Sequence, residues 1–250
     1  MIDLAESLVF GGGHGIGLAL VQRLQEISPQ NKTVVSYRNK EAAQELFGLA
    51  KKNRNILIHP LDPIKEESLK TFFAWASQNS SSQLNLSICC IGALASQGKR
   101  PERALKDLDA ETMLESFSTN CVAHALILKH LKALIPRSNP FVLAHLSARV
   151  GSLEDNSLGG WHSYRMSKAA LNMLVKNAAI ELKRDSYQTI AISLHPGTTH
   201  TQLSQAFVKN VKHKIWTPKE TAEHILQVIQ GLQKSDSGCF LNWDGNKLHY

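Results

Sequence analysis

Short apolar runs alternate with longer stretches of helical period along the whole chain. Ser7-Leu-Val-Phe10 closes on Gly11-Gly-Gly-His-Gly-Ile-Gly17, after which Leu18, Ala19, Val21, Leu24 and Ile27 recur at the spacing of one helix face. Thr33–Tyr37, Ile56–His59, Leu86–Ile91, Pro140–Leu146 and Thr189–His195 are further apolar runs of strand length. Between them the period changes, and helices are predicted over 41–52, about 66–77, 111–135 and 163–183. The last is rich in Ala and Leu around much of its circumference, which suits a helix covered by the sheet on one side and a partner subunit on another. Thr217-Pro-Lys-Glu220 reads as an N-cap with Pro at the first helical position and Glu at the third, opening a helix to Gln233. Cys239–Trp243 is a last short strand before the turn at Asp244-Gly245. Strands separated by helices place the chain in the α/β class.

At 250 residues the chain suits one large domain spanning 1–250. No stretch approaches the ~18 uninterrupted apolar residues of a membrane span. Met1-Ile-Asp-Leu-Ala-Glu lacks the basic start and long apolar run of a signal peptide, so a cytoplasmic protein without a membrane segment is expected. The net charge of +7 fits nucleic acid, a membrane surface or an anionic ligand. Its basic clusters, Lys51-Lys-Asn-Arg54 and Lys209 to Lys214, are small and carry no interleaved aromatic residues, so no nucleic-acid partner is expected. Cys89, Cys90, Cys121 and Cys239 show no metal-ligand spacing, and three fall in apolar runs; they read as reduced core residues, and no metal is expected.

The candidate chemistry sits where strands end. The turn from Gly11 through Gly13, His14, Gly15 and Ile16 to Gly17 lies between a strand and a helix, where backbone N–H groups and the helix dipole can cradle a phosphate. The second strand ends in Arg38, where a site preferring NAD would carry an acidic residue for the ribose 2′-OH. Arg38, with His14 or Lys40, can instead pair with a 2′-phosphate, so NADP(H) is expected over NAD(H). Asp62 either accepts from the adenine amino group or starts a turn and caps the next helix. Gly92 ends the fourth strand and lets backbone pack against the cofactor. Tyr164 and Lys168 are four residues apart and therefore stack on one helix face. An ammonium beside a phenol favours the phenolate and moves its pKa toward the working range. Thr198 to Trp216 shows no periodicity and reads as a substrate lid, with Leu203, Phe207 and Val208 suggesting an apolar pocket.

In this order the glycine turn, Asn120, a serine at a strand end, Tyr164/Lys168 and Pro196-Gly197 resemble the short-chain dehydrogenase/reductase family over nearly the whole chain. Leu146-Ser-Ala-Arg-Val-Gly-Ser152, Gly159 to Lys168, Leu194 to Thr201 and Trp243-Asp-Gly245 are similar to its C-factor-like subgroup, whose members include a cell-contact signalling protein. The resemblance implies a single-domain Rossmann-like fold, a doubly wound parallel sheet of about seven strands in the order 3-2-1-4-5-6-7 with helices on both faces. It also implies a homo-oligomer, dimer or tetramer, acting on a small carbonyl or alcohol. Tyr164 would then be the general acid in carbonyl reduction, and Lys168 would hold the nicotinamide ribose and depress the Tyr164 pKa. Asn120 would order a water that links Lys168 to solvent. Gly11, Gly15 and Gly17 would shape the pyrophosphate turn, while Pro196, Gly197, Thr199 and Thr201 would hold the carboxamide and the lid.

Three departures stand against that pattern. The family's active-site serine falls three residues before Gly151, which is Ala148; Ser147 is its neighbour and can take over only if the strand end re-aims it. Phe10 replaces a threonine that ties neighbouring strands, and Cys89-Cys-Ile-Gly92 replaces Asn-Asn-Ala-Gly. The expected function is an NADP(H)-dependent oxidoreductase interconverting a carbonyl and a secondary alcohol. The alternative is a nucleotide-binding signalling or interaction protein of the same fold with little turnover.

Overall fold

The structure, a computed structural model, describes residues 2, 4–95, 99–185, 187–205 and 214–250. Eight strands form one sheet: β1 (Glu6–Phe10), β2 (Thr33–Tyr37), β3 (Ile56–Pro60), β4 (Leu84–Cys89), β5 (Phe141–Leu146), β6 (Thr189–His195), β7 (Phe240–Asn242) and β8 (Lys247–Leu248). Their order is β3-β2-β1-β4-β5-β6-β7-β8, parallel throughout except for the β7–β8 pair. The expected seven-strand order is present, and the Asp244-Gly245 turn adds β8 as an antiparallel edge.

Alternation along each strand decides which helices it supports. Val9, Val35, Ile88, Val142, Ala144 and Ile192 face one side, where they pack with Leu18, Val21 and Leu24 of α1 (Gly15–Ile27), Leu46 of α2 (Gln44–Lys52) and Ile225 and Ile229 of α7 (Pro218–Gly231). Leu8, Phe10, Val34, Phe141 and Leu143 face the other side. They meet Leu69 and Phe72 of α3 (Glu66–Asn79), Ile127 of α5 (Ala123–Leu131) and Leu171, Val175 and Leu182 of α6 (His162–Arg184). A strand buried on both faces needs apolar side chains at every position, and this is why these runs look continuous in the sequence.

Two helices differ from the expectation. The predicted helix over 111–135 is α4 (Ala110–Phe117), a wider π turn (Ser118–Val122) and α5. The extra residue of a π turn re-aims the side chains around it, and Asn120 lies in the middle of this one. α2 starts at Gln44 rather than at 41, because Asn39 Oδ1 takes the Ala42 N–H at 3.0 Å and closes a turn first. No helix of the described residues is long and apolar enough to cross a membrane.

Candidate active site

The chain reverses direction across the sheet between β1 and β4, which opens a crevice beyond their carboxyl ends. The glycine turn fills one side of it. Gly11 has φ +78° and Gly15 φ +58°, a region that L side chains avoid. A Cβ on Gly17 would lie 2.3 Å from the Gly11 carbonyl oxygen, so only glycine lets α1 start this close to the turn. His14 is the N-cap residue and its side chain makes no cap bond, which leaves the first N–H groups of α1 facing the crevice. Across the turn, a Cβ on Gly15 would meet Thr201 Cγ2 at 3.6 Å, so the segment after β6 overhangs the glycines. Phe10 packs on Phe72 and Phe73, with ring centroids 5.6 and 5.9 Å away. Ser36 Oγ accepts the Gly11 N–H at 3.1 Å and ties β2 to the start of the turn.

Arg38, His14 and Lys40 stand exposed around the carboxyl end of β2, and the Lys40 ammonium lies 5.7 Å from the Phe47 ring centroid. Asp62 follows β3. Its carboxylate accepts the Ile64 N–H at 3.4 Å and pairs with Lys65 at 3.3 Å, so it is engaged in a turn, while the N-cap of α3 is Lys65.

The other side of the crevice is built by α6, β4 and the π turn. Tyr164 and Lys168 are 8 % and 3 % exposed. Lys168 Nζ donates to the Leu146 carbonyl at 2.9 Å and lies 5.9 Å from the Tyr164 ring centroid. A Cβ on Gly92 would lie 3.4 Å from Asn120 Oδ1 and 3.5 Å from Lys168 Nζ, so this backbone runs alongside both side chains. Asn120 is fully buried: its Oδ1 accepts the Ala93 N–H at 2.9 Å, and its Nδ2 donates to the Ala93 carbonyl at 2.8 Å and to Ser167 Oγ at 3.1 Å. It therefore fixes the backbone just past Gly92.

The electrostatics differ from the expectation in one respect. Burial raises the Tyr164 phenol above its ordinary value, and the same burial lowers the Lys168 ammonium to about 8. The ammonium is turned to the Leu146 carbonyl rather than to the phenol oxygen, so desolvation dominates and the phenol keeps its proton at neutral pH.

Ala148 packs against Tyr164 and Leu94. Ser147, one residue earlier, is 4 % exposed, and its buried hydroxyl has no hydrogen-bond partner. The strand alternation thus gives the position beside the phenol to Ala148.

A cavity of about 870 Å³ joins these parts. Ile16, Gly92 and Ser147 line it with Tyr164 and Lys168, and Pro196, Gly197, Thr199 and Thr201 close it from the β6 side. Gly11, Gly13, His14, Gly15, Gly17, Arg38, Asp62 and Asn120 lie outside its wall, the glycines and Asn120 as supports and the others toward β2 and β3. Thr199 Oγ1 is hydrogen-bonded to Thr221 Oγ1 at 2.8 Å, so it anchors the segment to α7. Trp216 N donates to the Thr198 carbonyl and His200 N to the Trp216 carbonyl, both at 2.8 Å, which pins the two ends of the expected lid together. Phe207 and Val208 lie outside the described residues, while Leu203 lines the cavity.

Several wall residues carry no signal that the sequence reading used. The Trp216 and Trp243 rings pack 4.9 Å apart at a 58° tilt, and a Cβ on Gly197, at φ +77°, would touch the Trp216 ring at 2.9 Å. Trp161 has φ +51° after Gly159 and Gly160 at φ +63° and +65°, and its ring meets Tyr164 edge-on at 6.4 Å. Its N–H donates to the Glu102 carbonyl at 2.6 Å, and the buried Glu102 carboxylate accepts from Ser163 N and Oγ. A carboxylate at the start of α6 complements the helix dipole and fixes the turn that carries Tyr164. The paired glycines before Trp161 were the available clue to a left-handed turn there.

Comparison with known proteins agrees with this geometry. A family model described as short chain dehydrogenase matches residues 6–212. An uncharacterized oxidoreductase of Schizosaccharomyces pombe is 26% identical over 261 residues, covering 97% of this chain and 96% of its own. The C-signal protein of Myxococcus xanthus is 32% identical over 148 residues, 58% of this chain and 82% of its own. The crystal structure of an NADPH-bound carbonyl reductase from chicken fatty liver superposes with a TM-score of 0.85 at 28% identity, covering 100% of both chains.

Proposed function

Because this chain belongs to the short chain dehydrogenase family, we propose that it is an NADP(H)-dependent oxidoreductase that interconverts a carbonyl and a secondary alcohol by hydride transfer. The observation that carries this reading is a protonated, buried phenol on the wall of a largely apolar cavity, with an ammonium one helical turn away. The residues fit a dinucleotide: Gly17 leaves no room for a Cβ, Gly11 and Gly15 hold left-handed backbone, and Gly92 borders the cavity. When bound, the nicotinamide supplies or accepts the hydride.

Tyr164 donates its proton to the carbonyl oxygen in reduction and takes it back in oxidation. Lys168, still charged near neutral pH, holds the ribose hydroxyls and returns a proton to the phenol. Asn120 acts by holding the Gly92–Ala93 backbone in place and by ordering a water behind Lys168. His14, Ile16 and Gly13 belong to the phosphate turn, and Arg38 takes the 2′-phosphate. Pro196, Gly197, Thr199 and Thr201 form the base of a lid over residues 198–216 and border the carboxamide. Asp62, held in its turn by the Ile64 N–H and the Lys65 ammonium, borders the adenine side. Ser147 is not assigned the substrate-polarising role, because Ala148 occupies the place beside Tyr164. The same Ala148, with the likeness to C-signal, favours a second reading: a nucleotide-binding signalling protein with little turnover.

Met166, Met173 and Ile180 recur every seventh residue on α6 and are 39%, 61% and 57% exposed. With Leu114 and Val122 on the neighbouring α4 and π turn, they form the face of a homo-oligomer.

The reading is tested by following NADPH oxidation against apolar aldehydes and ketones. Tyr164→Phe lowers kcat by about 100- to 10,000-fold and leaves NADPH affinity nearly unchanged. A variant that keeps most of the wild-type rate refutes the assignment of Tyr164.

A further inference from the structure

Beneath the crevice the sheet carries a polar row that the proposed reaction does not use. Parallel register places Phe10, Cys89, His145, Ser193 and Phe240 side by side on five adjacent strands, facing the α5 and α6 side. His124 of α5 lies over the row, so that Cys89, His124 and His145 are 1 %, 0 % and 1 % exposed. Among the described residues, these three bring one ligating atom each to within 4.8 Å of one another. The interior here has no need of three polar side chains for packing, since the same faces elsewhere are filled by Leu, Ile and Phe.

The proton positions follow from the partners. The Ile91 carbonyl can only accept, so His124, whose Nε2 lies 3.0 Å from it, carries its proton there and presents an Nδ1 lone pair to His145 Nδ1 at 2.7 Å. A ligand histidine held by a backbone carbonyl through its second nitrogen is the usual outer arrangement of a metal site. The Cys89 sulfur lies 4.0 Å from His124 Nε2; burial pushes its thiol up to about 12, opposed by a hydrogen bond from the Ile91 backbone, so the bound ion must displace the thiol proton. Both rings are fully buried, and in its neutral form each offers one nitrogen lone pair to a ligand.

We propose that Cys89, His124 and His145 form a site for a monovalent thiophilic cation, copper(I), bound by one thiolate and two imidazole nitrogens. Soft thiolate and imidazole donors select this ion, and three ligands satisfy it. Charge decides against zinc. A thiolate with Cu⁺ is neutral overall, whereas Zn²⁺ with one thiolate leaves a net positive charge in a dry interior that already feels the Lys168 ammonium. Binding replaces the proton shared by the two Nδ1 atoms. The Cys89 thiol loses its proton to solvent, the His145 proton moves to Nε2, and one proton leaves for each Cu⁺ bound. Ser193, the register neighbour of His145 on β6, has a buried hydroxyl without a partner and is placed to accept from that relocated N–H.

The test uses the tag-free full chain, titrated under argon with Cu⁺ supplied as its bicinchoninate complex, with transfer read by the loss of the complex's absorbance. One Cu⁺ per chain is expected. Cys89→Ser and His145→Gln should each weaken binding by at least about 100-fold, and Ser193→Ala by about 10-fold. Cys90→Ser, next along the chain but on the cavity wall, should leave it unchanged. No transfer to the wild type, transfer that survives Cys89→Ser, or displacement of Cu⁺ by equimolar Zn²⁺ overturns the proposal. Should a ligand variant not fold, X-ray absorption at the copper edge of the loaded wild type decides. One sulfur and two imidazoles support the site, and two or more sulfurs refute it.

Discussion

At residue 148 a methyl group stands where the family pattern has a hydroxyl, directly against the phenol that is to protonate the substrate. A preorganised donor of this kind is worth ~100- to 1000-fold in rate, so turnover without it should be slow. Ala148→Ser should raise kcat by at least about tenfold, while Ser147→Ala should leave it within about threefold. Steady-state kinetics on one reactive ketone checks both, and the opposite pattern would make Ser147 the donor. Lys168 offers a test that needs no substrate. Its ammonium is lowered from 10.5 to about 8 by burial, which costs the nucleotide-free fold about 3 kcal/mol at pH 7. Between pH 8 and 10.5 the unfolded chain binds the extra proton, so stability rises with pH and the cost disappears. Lys168→Met should therefore be more stable than wild type at pH 7, and the gap should shrink toward pH 10 in denaturant titrations. A gap independent of pH would contradict the burial argument. The residues legible in the sequence were those whose chemistry depends on local spacing: the glycines, and Tyr164 with Lys168. Trp161, Glu102, Trp216 and Trp243 were not, because they meet only when distant segments fold together.

The elements show the same division. Strands buried on both faces announce themselves as apolar runs, and β2, β5 and β6 fall where such runs lie. The π turn at Ser118–Val122 leaves no trace in periodicity, since the buried positions Ser116, Asn120, Ala123, Ile127 and Leu131 keep a helical spacing through it. It nevertheless aims Asn120 at the end of β4. α6 serves two surfaces at once: its inward face carries Tyr164, Lys168 and Leu171, and its outward face carries the stripe Met166, Met173 and Ile180. Met173→Lys should convert an oligomer to a monomer in sedimentation or light scattering, with little loss of fold. If wild type and variant have the same mass, the stripe is not the interface.

For the whole molecule, the sheet order places the reversal of chain direction between β1 and β4, and the cavity lies beside it, past the carboxyl ends of β4 to β7. The cofactor end and the chemical end are thus separated along the sheet, with Arg38 past β2 and Tyr164 above β5, so nucleotide preference and turnover can be tested apart. The overall class was readable because alternating strands and helices admit few topologies, while the strand order came from the family resemblance. The copper site proposed on β4, α5 and β5 was not readable, because register rather than spacing brings Cys89 beside His145. The most direct test of the central claim is a calorimetric titration of the purified chain with NADPH and with NADH, repeated on Arg38→Asp. NADPH should bind at least about tenfold tighter than NADH, and the substitution should weaken NADPH far more than NADH. If neither nucleotide binds, the chain is not a nicotinamide oxidoreductase; if Arg38→Asp weakens both equally, Arg38 does not read the 2′-phosphate.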